Sequence, residues 1–262
     1  WCLIINGIVG PLLLGGAVAT FFNGSNFIVS KDNLVSGMQP VISHWANASH
    51  GLDALLDPWN LILGFAVFFL ARILGLLYFI NNINDDTIRA RSRRAVMTNT
   101  VPFLILFLAF LIRTLLKDGF AEDATTGAIV MEPMKYLTNL TTMWYVLVVL
   151  IAGVALVLTG IIRTITSPLY IKGIWPTGIG TVLTVLALLL CAGWNSTAFY
   201  PSTADLQSSL TITNASSSEF TLRTMAIVSI FIPFVLAYIV YAWRAIDIRE
   251  ITKHEIENDE AY

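Results

Sequence analysis

Charged side chains are scarce in this chain. Asp, Glu, Lys and Arg make up 12% of its 262 residues, and fifteen basic groups cannot cover the surface that a soluble protein of this length would expose. An ordinary soluble domain is thereby excluded. Only two cysteines are present, Cys2 and Cys191, each in an apolar run. A disulfide framework and a thiolate metal site are excluded with them, and both read as buried thiols. Nor is there an excess of positive charge: the net charge is −2 and the isoelectric point lies near 5.9, which excludes nucleic acid as a partner. A glycine-rich phosphate loop, a Ser/His/Asp set and a His-Glu-x-x-His signature are all missing, so neither a catalytic nor a metal-ligating residue is assigned. Internal repeats, low-complexity tracts and heptads are missing too. The opening WCLIINGIVG has no initiator Met and no basic region before its apolar run, so it is not a signal peptide and reads as a start inside a longer protein.

What the chain does have is long apolar runs. Hydrophobic residues make up 56% of it and the mean hydropathy is +0.74, the composition of a polytopic membrane protein. Crossing a hydrocarbon layer of ~30 Å takes roughly 20 helical residues. Six runs meet that length, at about 1–22, 59–80, 95–116, 140–162, 174–198 and 223–244, which predicts an all-α transmembrane bundle over 1–244 and a polar tail over 245–262. The last run ends in Tyr241, Trp243 and Arg244, an aromatic and basic anchor for a membrane–water interface. Gly7, Gly10, Gly15 and Gly16 in the first run allow close helix approach, and Pro11 is tolerated in lipid.

The polar connections alternate between two sides. One side holds nine basic residues: Arg89, Arg91, Arg93, Arg94, Arg163, Lys172, Arg244, Arg249 and Lys253. The other holds four, Lys31, Lys117, Lys135 and Arg223, while Arg72 and Arg113 lie within spans. The positive-inside rule makes the first side cytoplasmic, with the C-terminus there and the two longest loops outside.

Arg72 falls past the middle of the second span, where a charge costs at least ~2.5 kcal/mol. It reads either as one half of an ion pair with a carboxylate or cofactor propionate on another helix, or as a side chain that snorkels to the interface or makes a structural pair. No acidic residue sits deep in any span, so a paired Arg72 would find its partner outside this sequence. Arg113, beside Lys117, reaches the interface from the end of its span. The Arg89–Arg94 cluster is explained by topology, with anionic lipid as a second reading. His44 and His50, around Trp45 in an irregular loop, lack the spacing of a ligand set, and His254 stands alone in the tail. Asp85/Asp86 and Glu257/Asp259/Glu260 read as solvated carboxylates. Asn23, Asn47, Asn139, Asn195 and Asn214 open Asn-x-Ser/Thr triplets, which carry meaning only in a eukaryotic secretory setting.

The terminal stretch carries a specific resemblance. SSLTITNASSSEFTL (208–222), the Pro-containing run IPFVLAYIVYAW (232–243) and the tail IREITKHEI (248–256) resemble the C-terminal end of subunit II of cytochrome bd-type quinol oxidases. NGIVGPLLLGGAVATFFNGSNF (6–27) is similar to that family's third helix, and DPWNLILGFAVFFLARILGLLYF (57–79) to the helix that comes next. The resemblance runs through the whole chain, most specifically over 201–256, and implies the last six of eight spans. It further implies a bacterial inner-membrane complex that oxidises quinol and reduces O2 to water. The b- and d-type haems would be ligated by the partner subunit I and none by this chain, which would act as support. Asn214, Ala215, Ser216, Ser217 and Ser218 would form a packing motif at the outer helix ends. Partners on this reading are subunit I, membrane lipid and, through the complex, quinol. A small-molecule transporter, which would show an inverted repeat or broken helices, and a membrane assembly protein without a redox link are the alternatives.

Overall fold

A computed structural model describes residues 1–30 and 42–246. Lys31 and the tail residues Arg249, Lys253, His254, Glu257, Asp259 and Glu260 lie outside the described residues. Among the described residues six helices are long and apolar enough to cross a membrane: Cys2–Asn23, Pro58–Asn82, Asp86–Leu116, Trp144–Thr166, Ile174–Gly193 and Glu219–Ala245. The first five are α1, α2, α3, α5 and α6, and a short helix α4 (Lys135–Thr142) precedes α5. The all-α polytopic bundle expected from composition is the fold.

Helix starts follow capping chemistry more than hydropathy. Asp57 accepts hydrogen bonds from the Trp59 and Asn60 amides at 2.7 and 3.4 Å, and Pro58 occupies the first turn, where its missing N–H costs nothing. Asp85 accepts from the Ile88 amide at 2.8 Å and starts α3 at Asp86, nine residues ahead of its apolar run. The arginines 89–94, expected in a loop, therefore lie on the first turns of a helix, and Asp85 is a cap instead of a free solvated carboxylate. The fourth span begins at Trp144 because the chain turns between α4 and α5 at Met143. The last span is in two pieces, α8 (Glu219–Ser229) and α9 (Ile232–Ile246). Pro233 has no N–H to give the Ser229 carbonyl, and the helix breaks just ahead of it.

α2 packs on α1 and on α3, α5 packs on α6, and α3 meets α5 between them. Small residues set the spacing. A Cβ on Gly15 would lie 2.8 Å from the Cα of Gly64 across the α1–α2 contact, so the backbones touch there. Gly7 and Gly10 make no such approach. Thr164, Thr177 and Thr184 at the α5–α6 seam donate to their own Gly160, Gly173 and Gly180 carbonyls at 2.7–2.8 Å, which leaves no polar atom of theirs unpaired in the contact. Phe22, Phe110 and Tyr136 close the core edge-to-face, with centroids 5.9 and 5.3 Å apart. Cys191 is buried, but Cys2 is exposed on the first half of α1, contrary to its expected burial.

One end of the bundle carries an irregular cap. Strands β1 (Phe27–Val29) and β2 (Ser43–Trp45) pair antiparallel, as do β3 (Gly119–Glu122) and β4 (Ile129–Glu132). His44, expected in an irregular segment, is thus a strand residue opposite Ile28. Residues 197–211 thread between the hairpins. Ser202 donates to the Phe27 carbonyl, the Val29 amide donates to Ser208 Oγ at 3.0 Å, and Gln207 exchanges two bonds with the Ile129 backbone at 3.0 and 2.9 Å. At the opposite end the Arg93 guanidinium donates to the Pro168 carbonyl and ties the first turns of α3 to the α5–α6 connection.

Candidate functional site

A polar cluster lies where α1, α2, α3 and α4 meet beneath the cap. Asn23, at the end of α1, donates to Asn60 Oδ1 at 2.7 Å, and Asn60 donates on to the Ala54 carbonyl at 2.7 Å. Two cations converge on the other side of Asn23. Lys117 donates to its Oδ1 at 2.9 Å and to the Phe22 carbonyl at 2.6 Å, and Arg113 donates to the same Oδ1 at 3.2 Å. The guanidinium of Arg113 lies 4.5 Å from the centre of the Trp59 ring. Tyr136 adds its hydroxyl to the Phe22 carbonyl at 3.3 Å. The cluster thus supplies donors to the bare carbonyl end of α1, where positive charge is favoured. Burial, with the neighbouring Arg113 charge, pushes the Lys117 ammonium down to about 8, against a smaller opposing pull from Asp57. Burial also raises the Tyr136 phenol well above its ordinary range. A second knot sits under α6: Asn139, wholly buried, donates to the Cys191 carbonyl at 2.9 Å and to Thr197 Oγ1 at 2.8 Å, and accepts from Asn195 at 3.0 Å. That burial rules out Asn139 as a glycosylation acceptor. Both knots hold helix ends together, and neither pairs a nucleophile with a base.

The five packed spans line a partly open cavity of about 270 Å³ between α1, α2, α3, α5 and α6. Its wall is aliphatic and aromatic. The two threonines in it, Thr181 and Thr184, spend their hydroxyls on the carbonyls of Thr177 and Gly180. The chamber can take up an apolar chain and offers no acid, base or ligand atom. A haem does not fit these residues: no His, Cys or Met lines the chamber, and both described histidines, His44 and His50, belong to the cap. No group of three or more His, Cys, Asp and Glu able to hold a metal ion occurs among the described residues.

Arg72 is exposed on α2 and forms no ion pair among the described residues. Its guanidinium lies 5.6 Å from the centre of the Phe68 ring, one turn back along the helix. Phe68 is ten residues from Pro58 and Arg72 is ten residues from Asn82, so the charge lies ~15 Å or more from either helix end. It runs back along α2, away from the Asn82 end.

Asn214, Ala215, Ser216, Ser217 and Ser218 are all exposed within this chain. Asn214 closes a capping box with Thr211 around the one-turn helix α7 (Ile212–Ala215) and donates to the Ser209 carbonyl at 2.9 Å. Ser218 caps α8 by accepting from the Thr221 amide at 3.4 Å. The side chains of this stretch that do pack inside the chain come just earlier: Ser202, Ser208, Ser209 and Thr211. The Asn23–Asn60–Lys117 and Asn139 knots escaped the reading of the sequence. The one signal for them was an amide at each boundary between an apolar run and a polar one.

The bundle, its cap and its chamber define a polytopic α-helical membrane protein whose last span has no buried residue within its own chain. The sequence profile of the cytochrome bd terminal oxidase subunit II family matches residues 1–246, and the chain belongs to that family. The resemblance read from 6–27, 57–79 and 201–246 is confirmed by that match, while the tail stretch 248–256 lies beyond it and outside the described residues. Membership places the protein in an oxidoreductase complex with another oxidase subunit. Comparison with curated proteins gives no match.

Proposed function

We propose that this chain is the supporting subunit of a membrane complex that oxidises quinol and reduces O2 to water, and that the b- and d-type haems are ligated by its partner, subunit I. The observation that carries this reading is the family match over 1–246. The apolar chamber without ligating atoms supports it, as does a last span with its surface unburied by its own chain. On this reading the chain binds and orients: its packed spans form a rigid wall, its cap closes one side, and α8–α9 meets subunit I or lipid. The exposed 214–218 stretch packs against neighbours outside the chain. On this reading the membrane is the bacterial inner membrane, and the basic residues at the Arg89–Arg94 and Arg163–Lys172 end support a cytoplasmic position for that end and the C-terminus, with the cap outside.

The test is affinity purification of the protein from its native membrane, with identification of co-purifying chains and a reduced-minus-oxidised visible spectrum. A second, haem-bearing chain with a red-shifted d-type band beside the b-type bands is expected. A colourless preparation without that chain overturns the proposal.

A further inference from the structure

We infer that the face of α2 bearing Phe65, Phe68, Arg72, Gly75 and Phe79 is covered, in the assembled protein, by a membrane-spanning helix of the partner subunit that presents an Asp or Glu carboxylate to Arg72. This rests on the proposed assembly with a partner subunit. The five residues recur at helical spacing along one side of α2, the side turned away from the α1 and α3 contacts made through Leu63, Ala66, Ile73, Leu77 and Ile80. Phe65, Arg72, Gly75 and Phe79 are exposed. The guanidinium at the centre of this side is a full positive charge, held back over Phe68 and far from both helix ends.

Three facts decide what covers it. Lipid phosphates lie at the ends of α2, beyond reach of a side chain folded towards its middle. The six spans among the described residues hold acidic residues only at their ends, Asp86 and Glu219, so none of these meets Arg72 at this depth. Ionisable groups in the bilayer face protein or water and pair with one another, so the counter-charge comes from another embedded helix. Gly75, one turn on from Arg72, has nothing within 4 Å of where a side chain would start. Such a gap admits a neighbouring backbone closely, and the flanking Phe rings exclude water from the pair, which strengthens it. A guanidinium and a carboxylate match as a two-pronged hydrogen-bonded pair.

The test uses the complete protein expressed with its partner in native membranes. Gly75→benzoylphenylalanine, with Arg72 intact, is irradiated and the adduct mapped. Attachment to a helix of the haem-bearing subunit that contains an Asp or Glu is expected. Arg72→Leu should lower the yield of two-subunit complex at least fivefold, Arg72→Lys should recover much of it, and Arg72→Glu should be rescued by exchanging the mapped carboxylate for Arg. Attachment to lipid alone or to another segment of the same chain, or full yield from Arg72→Leu, overturns the inference. The spectrum of the purified complex separates the two failures. A coloured complex whose adduct is lipid leaves the oxidase reading standing and removes the α2 interface, whereas the absence of a coloured partner removes both.

Discussion

Gly153 and Gly180 are locked backbone to backbone across the α5–α6 contact: a Cβ on Gly180 would lie 2.5 Å from the Gly153 carbonyl oxygen, and one on Gly153 would lie 2.9 Å from that of Gly180. Neither residue can be enlarged without prising the helices apart. Gly178, on the same helix, has open space around it. Gly180→Leu should therefore destabilise the protein by about 1–3 kcal/mol or more through overpacking, while Gly178→Leu should leave it within ~0.5 kcal/mol. Thermal unfolding in detergent compares them, and equal midpoints would refute the close-contact account.

Lys117 makes stability depend on alkaline pH. Its ammonium is lowered in the folded protein from an ordinary 10.5 to about 8, so between those values the unfolded chain holds a proton that the folded chain does not. Stability should then rise with pH from about 8 to about 10.5 and level off above. Lys117→Arg keeps the charge at every pH in that range, and its midpoint should lack the rise. The difference between the two unfolding profiles isolates this group, and parallel profiles would refute the assignment.

Asn139 joins α4 to the turn after α6 through three hydrogen bonds. Asn139→Ala leaves the buried Cys191 carbonyl without that partner, at about 1–3 kcal/mol, and releases the half-buried Asn195 amide. Hydrogen exchange over 195–199 should speed up before that of α5 or α6. Unchanged exchange there would show the bonds to be dispensable.

Ser218 caps α8 at its first turn. Ser218→Ala should weaken that turn by about 1 kcal/mol, while Ser217→Ala, which removes no cap, should not. Faster exchange at the Thr221 amide in the first variant alone is the expected result. If the two variants behave alike, the cap has no energetic role.

Much of the architecture was legible in apolar run length, because a bilayer leaves a helix few alternatives. Helix ends were not, since Asp57 and Asp85 start their helices by accepting backbone amides, which hydropathy does not register. The arginines at 89–94 were read as a loop for the same reason: α3 continues past its apolar run once its turns are bonded. In the cap, the serines buried by this chain itself are Ser202, Ser208 and Ser209, while Ser216–Ser218 are exposed within it. Nothing local marks out Ser202 and Ser208, because their partners Phe27 and Val29 lie 175 and 179 residues earlier. Arg72 could be placed in depth from its position, but the direction of its side chain, back over Phe68, could not.

The same long separations bear on how the protein comes into being. Phe27 and Val29 leave α1 with backbone groups whose partners are Ser202 and Ser208, the latter 179 residues further on. During synthesis those groups lack these partners until α2, α3, α5 and α6 have been made and residues 197–211 have followed them. α1 is thus among the last of the packed helices to be sealed, and a nascent chain stalled before Tyr200 leaves the ends of α1 and α3 under an open lid.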